Sequence, residues 1–200
     1  MPRTARNLIG GHFYHVLNRG NSKQEVFHKK QDFIAFINLI KKAKEKHPIS
    51  ILAYCLMPNH FHFVVSPNEG NRLSKWMHWL TSTHARHYHY YYNTSGHIWQ
   101  GRFKSFVIQN DYHIFSVLRY VEGNPVRAKL VSSAKNWPWS SHRERIGLEK
   151  KEILDRIPIE LPKDWAKYVD DPLTGKELSE IQESIQRQTP YGYWGQSPIV

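Results

Sequence analysis

Short runs with a two-residue hydrophobic repeat and longer runs with a helical repeat follow one another along the first half of the chain. They predict strands at His12–Leu17, Ile49–Leu56, His60–Val65 and Phe103–Ile108, and helices from Asp32 to about Pro48 and from Leu73 to about Tyr91. This β-α-β-β-α-β order is typical of an α+β, ferredoxin-like fold. In such a fold the two helices cover one face of the sheet and leave the other face open to a ligand.

A further helix is predicted from Asp111 to Glu122, and it ends shortly before Pro125 because proline disfavours helical geometry in the residue before it. From residue 148 onward the chain becomes acidic and is interrupted by prolines, with one predicted helix from Lys176 to Gln188. The sequence therefore divides into a main domain at 1–147 and an acidic C-terminal accessory segment at 148–200.

The net charge of +11 is concentrated in the main domain. Residues 1–147 contain 21 Lys and Arg against 7 Asp and Glu, whereas residues 148–200 contain 7 against 10. Such an excess attracts polyanions, nucleic acid before anionic membrane. No apolar run approaches the roughly 20 residues of a membrane-spanning helix, and the N-terminus lacks the apolar stretch of a signal peptide. We expect a cytoplasmic nucleic-acid-binding protein with no membrane partner.

The candidate chemistry begins at His60 and His62. In a strand their side chains project from the same face, so the two imidazoles could bind one divalent cation. Two polar residues on an exposed strand would give the same pattern. A metal that also holds phosphate needs oxygen ligands, for which Asn124 is a candidate. Asn124 follows Tyr120 by four residues, so near the end of the helix both side chains could face the same way.

Three motifs together resemble those of the REP-associated tyrosine transposases, which belong to the single-tyrosine HUH group. They are Met57–Val65 (MPNHFHFVV), Trp99–Ser105 (WQGRFKS) and Arg119–Ala128 (RYVEGNPVRA), in that order. The similarity extends from the strand with Tyr14-His15-Val16 to Trp139-Ser140-Ser141, about two thirds of the chain.

The resemblance implies a metal-dependent single-stranded DNA endonuclease and strand transferase that acts on REP-like hairpins. It implies that His60, His62 and Asn124 bind a divalent metal ion. Two imidazoles with an amide oxygen would accept Mn²⁺, Mg²⁺, Co²⁺ or Zn²⁺, and of these we expect Mg²⁺ or Mn²⁺. The resemblance also implies that Tyr120 is the nucleophile, which would form a 5′-phosphotyrosine intermediate. The expected partner is single-stranded or hairpin DNA, bound by a monomer or a homodimer.

Basic residues of the main domain are candidates for contacts with DNA phosphates. They are Arg3, Arg6, Arg19, Arg102, Lys104, Arg119 and Arg127. Each of them could equally be an ordinary solvated side chain. Unpaired bases could stack on the aromatic residues of 87–92 and on Trp99 and Phe103.

Two other functions fit parts of the same sequence. A non-catalytic binder of single-stranded nucleic acid with an RRM-like fold would share the element order and the charge, but it would leave the histidine pair without a role. A metal-dependent nuclease could instead attack with an activated water, with Tyr120 serving only as a structural residue. A covalent protein–DNA adduct distinguishes the nucleophilic tyrosine from both alternatives.

Overall fold

A computed structural model describes residues 8–109, 111–187 and 189 of the chain. Its strands are β1 (Phe13–Arg19), β2 (Ser50–Met57), β3 (His60–Ser66) and β4 (Lys104–Ile108). They form an antiparallel sheet in the order β2-β3-β1-β4. Its helices are α1 (Lys30–Lys46), α2 (Gly70–Tyr92), α3 (Asp111–Glu122), α4 (Asn124–Arg127), α5 (His142–Arg145), α6 (Trp165–Asp170) and α7 (Gly175–Arg187).

The larger core lies between one face of the sheet and the helices α1 and α2. Val16 and Phe63 point from the strands into this core, where they meet Phe36 of α1 and Trp76 of α2, and all four are fully buried. Burying an aliphatic or aromatic side chain of this size contributes roughly 1.5–3 kcal/mol. The apolar positions that repeat along the strands and helices therefore account for this layer.

The second core lies on the opposite face of the sheet, where α3 packs over β2 and β3. Val117 of α3 packs there with Val64 of β3, and Trp165 of α6 and Ile181 of α7 are buried in the same cluster. The acidic segment after residue 147 thus contributes two helices that pack behind α3. As a result, α3 is held between the sheet and the C-terminal helices.

The predicted α+β fold with the ferredoxin-like β-α-β-β-α-β order is confirmed, and α3 follows it as expected. The first helix begins earlier than predicted, at Lys30. The Asp32 carboxylate accepts hydrogen bonds from the backbone N–H groups of His28 and Lys29, and such capping satisfies donors that the first turn leaves unpaired. Within the described part of the chain, none of the helices has the length and apolarity required to cross a membrane.

Candidate active site

His60 and His62 lie on the face of the sheet that α3 packs against. Their ring centroids are 5.0 Å apart, as the alternation of side chains along β3 predicts. In the neighbouring strand β1, Arg19 lies directly opposite His60 and Leu17 lies opposite His62. His62 is only 4% exposed, whereas His60 is half-buried at the end of its strand. The pair therefore has one ring in the interior and one near the surface.

A third histidine, His15 of β1, belongs to the same cluster. Its Nε2 lies 2.9 Å from Nδ1 of His62, and both rings are buried. Sequence reasoning noted His15 only within a matching segment and gave it no role. Its position in the strand could have predicted its orientation. His15 alternates with Tyr14 and Val16, so its side chain faces away from the larger core.

These imidazoles are neutral at physiological pH. Burial lowers the pKa of His15 to about 3 and that of His60 to about 4, and burial also lowers the pKa of His62 well below its ordinary value. Nearby positive charge acts in the same direction, from Arg127 on His15 and from Arg19 on His60. Neutral imidazole is the form that coordinates a metal ion.

The hydrogen bonds of the two strand histidines leave suitable donor atoms for a metal. Asn59 Oδ1 accepts a hydrogen bond from His60 Nδ1 at 2.6 Å, so Nε2 of His60 carries a lone pair. When His62 Nδ1 donates to His15, Nε2 of His62 is likewise unprotonated. A histidine ligand usually donates its other ring N–H in this way, which fixes the ring and its tautomer. The donor set therefore fits the divalent metal that the family resemblance implies.

Further ligands for such a metal must come from oxygen donors. In the described ranges, no three His, Cys, Asp or Glu side chains are grouped so as to hold a metal ion. Asn124 begins α4, two residues after the end of α3, and is 8% exposed. Its amide oxygen and the oxygens of a bound phosphate are of the type that Mg²⁺ and Mn²⁺ prefer.

Tyr120, on the last turns of α3, lies beside the histidine cluster. Its ring centroid is 5.8 Å from that of His62 and 5.9 Å from that of His15, with edge-to-face geometry in both pairs. The ring is partly buried between the helix and the sheet. Three elements that are distant in sequence, β1, β3 and α3, thus bring a phenol next to two imidazoles.

Arg127 places a positive charge beside Tyr120. Its guanidinium lies over the tyrosine ring at 4.1 Å from the centroid, and Nη2 donates a hydrogen bond to the Tyr120 carbonyl. Burial raises the pKa of Tyr120 above its ordinary value, while Arg127 acts in the opposite direction. The phenol is therefore protonated at neutral pH, and its anion would form beside a fixed cation.

A buried carboxylate, Glu122, holds the end of α3 in place. It accepts hydrogen bonds from Ser141 Oγ at 2.6 Å, Arg145 Nε at 2.7 Å and Trp165 Nε1 at 2.7 Å, and it lies 3.0 Å from His142 Nδ1. The carboxylate is fully buried. Sequence reasoning did not single out Glu122, because its partners come from segments 19 to 43 residues away.

Gly123 lets α6 approach the same helix end. A Cβ at this position would lie 3.0 Å from the carbonyl oxygen of Arg119 and 3.1 Å from that of Val169. A side chain there would force these neighbours to shift by a few tenths of an ångström. The glycine between Glu122 and Asn124 therefore allows the close contact of α3 with α6.

The residues predicted to contact DNA phosphates differ in their position and exposure. Arg19 and Lys104 are half-buried on the histidine face, since Lys104 lies opposite Leu17 in the register of β1 and β4. Arg19 Nε is buried with no hydrogen-bond partner among the described residues. Arg102 is exposed in the loop before β4. Arg3 and Arg6 lie outside the described residues.

Arg119 corrects the sequence-based expectation. Only 6% of its surface is exposed, and its Nη2 donates to the backbone carbonyls of Asp171 and Pro172 at 2.8 and 2.9 Å. Its Nη1 lies 3.6 Å from the Glu177 carboxylate, and the guanidinium covers the ring of Tyr168. Arg119 therefore ties α3 to the C-terminal segment and is not available to phosphate in this conformation.

Known transposases resemble this chain in sequence. Residues 9–124 match the family described as "Transposase IS200 like". A candidate REP-associated tyrosine transposase of Haemophilus influenzae is 27% identical over 151 residues, which cover 70% of this chain and 80% of that protein. A REP-associated tyrosine transposase of Escherichia coli is 26% identical over 86% of this chain and 94% of its own length.

A solved structure shares the fold. It is the structure of a REP-associated tyrosine transposase bound to a REP hairpin, with a TM-score of 0.56 and 22% sequence identity. The match covers 81% of this chain and 99% of that one.

Proposed function

Because this chain belongs to the IS200-like transposase family, we propose that it cuts single-stranded DNA with Tyr120 as a covalent nucleophile and transfers the resulting end. The proposed substrate is a REP-like hairpin with unpaired flanks. The structural relative bound to a REP hairpin supports this choice.

The main support for the proposal is the position of Tyr120 beside two histidines. Its ring centroid lies 5.8 Å from that of His62 and 5.9 Å from that of His15. Tyrosine on a half-buried helix face is common, and so is a histidine pair on a strand. The two together, in a family of transposases, support a reaction in which the phenol attacks a DNA phosphate next to the histidines.

His60 and His62 would hold the metal through Nε2, with Asn124 as an oxygen ligand. When bound, the cation supplies Lewis-acid stabilisation of the charge that develops on the scissile phosphate. The divalent ion is Mg²⁺ or Mn²⁺, because the proposed set combines imidazoles with amide and phosphate oxygens. His15 positions His62 by accepting its Nδ1 hydrogen bond.

The attack would form a bond from Tyr120 Oη to phosphorus and break the bond from phosphorus to the 3′-oxygen. The phenolic proton leaves to solvent, and the departing 3′-oxygen takes up a proton to become a free hydroxyl. Arg127 stabilises the phenolate as the proton leaves. The 5′-phosphotyrosine is a phosphodiester like the one that was broken, so a 3′-hydroxyl can later reverse the reaction without a nucleoside triphosphate.

DNA phosphates would bind to Arg19, Lys104 and Arg102. Arg19 and Lys104 lie half-buried on the face of the sheet that carries the histidines, so their charges are close to the proposed metal ligands. Contacts of this kind position the strand and do not read its sequence.

An adduct assay tests the nucleophile. A labelled REP-type hairpin oligonucleotide is incubated with the protein and Mg²⁺ or Mn²⁺ and separated on a denaturing gel, and the modified peptide is mapped by mass spectrometry. We expect a DNA-linked protein with the label on Tyr120, and no adduct from Tyr120→Phe. Cleavage without an adduct would favour attack by water. Binding without cleavage would favour a non-catalytic nucleic-acid-binding protein.

Single replacements of the histidines test the metal site. His60→Ala and His62→Ala should each reduce adduct formation at least tenfold and weaken Mn²⁺ binding, measured by titration calorimetry in the absence of DNA. His78→Ala, which removes an exposed histidine of α2, serves as the matched control. Unchanged Mn²⁺ binding in both strand variants would contradict the assignment.

A further inference from the structure

A second candidate site lies on the side of the sheet away from Tyr120. A pocket of about 440 Å³ opens between the beginning of α1 and the end of α2. Apolar side chains of the α1 region, including Ala35 and Leu39, line it together with Tyr88, Tyr91 and Tyr92 of α2. Residues three and four positions apart share one side of a helix, which explains why these tyrosines meet there.

Polar contacts hold the tyrosines in place. Lys29 Nζ donates a hydrogen bond to Tyr91 Oη at 2.6 Å and lies 4.1 Å from the centroid of that ring. Tyr92 Oη donates to the Asp32 carboxylate at 2.7 Å, and the Tyr88 and Tyr92 ring centroids are 4.7 Å apart. Tyr91 nevertheless remains 63% exposed. The pocket thus presents fixed aromatic rings to solvent.

His84 lies in the wall of the pocket and has an unsatisfied polar atom. The residue is 5% exposed, and its Nδ1 is buried with no hydrogen-bond partner in the part of the chain that the structure describes. The ring packs against Phe27 and Trp99, and burial lowers its pKa to about 3, so it is neutral. A buried polar atom without a partner is costly, and a ligand with hydrogen-bonding groups at its edge would remove that cost when the ring turns this nitrogen into the pocket.

We propose that this pocket binds one unpaired nucleobase of the DNA substrate. The base stacks on the rings of Tyr88 and Tyr91, its edge hydrogen-bonds to His84, and Lys29 binds the adjacent phosphate. The proposal rests on the proposed function, because it assumes single-stranded DNA as the ligand. Planar rings that stack on aromatic side chains beside a cation are the usual features of single-strand recognition. The strongly positive charge of residues 1–147 favours this anionic ligand over a neutral aromatic one.

Binding measurements on the full chain test the pocket. The probe is a fluorescent REP-type hairpin with single-stranded extensions, compared with probes in which each extension nucleotide in turn is abasic. Tyr91→Ala should weaken binding of the intact probe about tenfold, as expected for the loss of one stacked base. Tyr91→Phe keeps the ring but loses the hydrogen bond from Lys29, so it should weaken binding less than Tyr91→Ala does. Lys29→Gln should weaken binding, whereas Lys150→Gln, which removes an exposed charge elsewhere, should not.

The abasic probes distinguish the loss of one base contact from a general loss of DNA affinity. One abasic position should weaken binding to wild type but leave binding to Tyr91→Ala unchanged, since the variant has already lost that contact. Equal loss at every position, or equal affinity of Tyr91→Ala and wild type for all probes, overturns the pocket. If wild type forms the Tyr120 adduct in that case, the proposed function stands. If wild type neither binds nor cleaves the intact probe, the proposed function fails and the pocket proposal fails with it.

Crosslinking gives a second measurement that does not depend on a substitution. Oligonucleotides with 5-iodouracil in the extension are irradiated with the wild-type protein, and the modified peptides are identified. We expect crosslinks to aromatic residues between His84 and Tyr92. Crosslinks confined to the histidine face of the sheet would overturn the proposal.

Discussion

Replacing Glu122 with glutamine tests how the end of α3 is held. The change keeps the shape of the side chain and removes its charge. It leaves Arg145, whose side chain is 9% exposed, without its buried anion. Since Glu122 lies two residues from Tyr120, loss of these contacts should disturb both the stability of the fold and the position of the nucleophile.

The magnitude follows from the pKa of the carboxylate. Burial alone would raise the pKa of Glu122, but Arg145 and the hydrogen bonds from His142 and Ser141 lower it to about 2. Compared with an ordinary value of 4.5, this corresponds to about 3 kcal/mol of stabilisation at neutral pH. We expect Glu122→Gln to lose stability of that order, which lowers the melting temperature by roughly 10 °C in a chain of this size.

The stabilisation by Glu122 should change with pH in a defined direction. The pKa is depressed in the folded state, so the stabilisation is complete above pH 4.5 and is lost as the pH falls toward 2. The difference in unfolding free energy between wild type and Glu122→Gln should therefore fall to roughly half or less between pH 7 and pH 3. Urea unfolding followed by circular dichroism at several pH values measures it.

An exposed glutamate provides the control. Glu183 pairs with Arg187 at 2.8 Å on the surface of α7, and Glu183→Gln should change stability by no more than about 0.5 kcal/mol. A Glu122→Gln protein as stable as wild type, or a difference that stays constant from pH 7 to pH 3, would refute the reasoning.

Three further predictions concern the basic residues. Arg119→Gln should lower the unfolding free energy by about 2 kcal/mol in urea titrations, because it removes a buried donor of several hydrogen bonds; an unchanged midpoint would contradict its structural role. Arg127→Gln should slow adduct formation at least tenfold at pH 7, since the guanidinium stabilises the Tyr120 phenolate; an unchanged rate would argue against this role. Lys104→Gln should reduce the salt dependence of DNA binding, the slope of log K against log[salt], by about 0.7, whereas Lys150→Gln should leave the slope unchanged; equal slopes in both variants would exclude a phosphate contact at Lys104.

Local patterns in the sequence determined the elements of this fold. A repeat of two residues places His60 and His62 on one face of a strand wherever that strand lies, because the alternation is a property of the extended backbone. The helical repeat from Phe33 to Ala43 likewise predicts α1, whose apolar stripe is buried as expected. The element order then restricts the topology to few arrangements.

The tertiary structure decided which side chains meet. Arg119 and Arg127 are eight residues apart and look alike in sequence, yet one is bound to the C-terminal segment and the other covers Tyr120. Glu122 has no local feature that distinguishes it, because all its partners arrive from later segments. A hydrophobic repeat depends only on residues that are close in sequence. The contacts of Arg119 and Glu122 depend instead on how α3 packs between the sheet and the C-terminal helices. That packing is the sum of many small interactions along the whole chain.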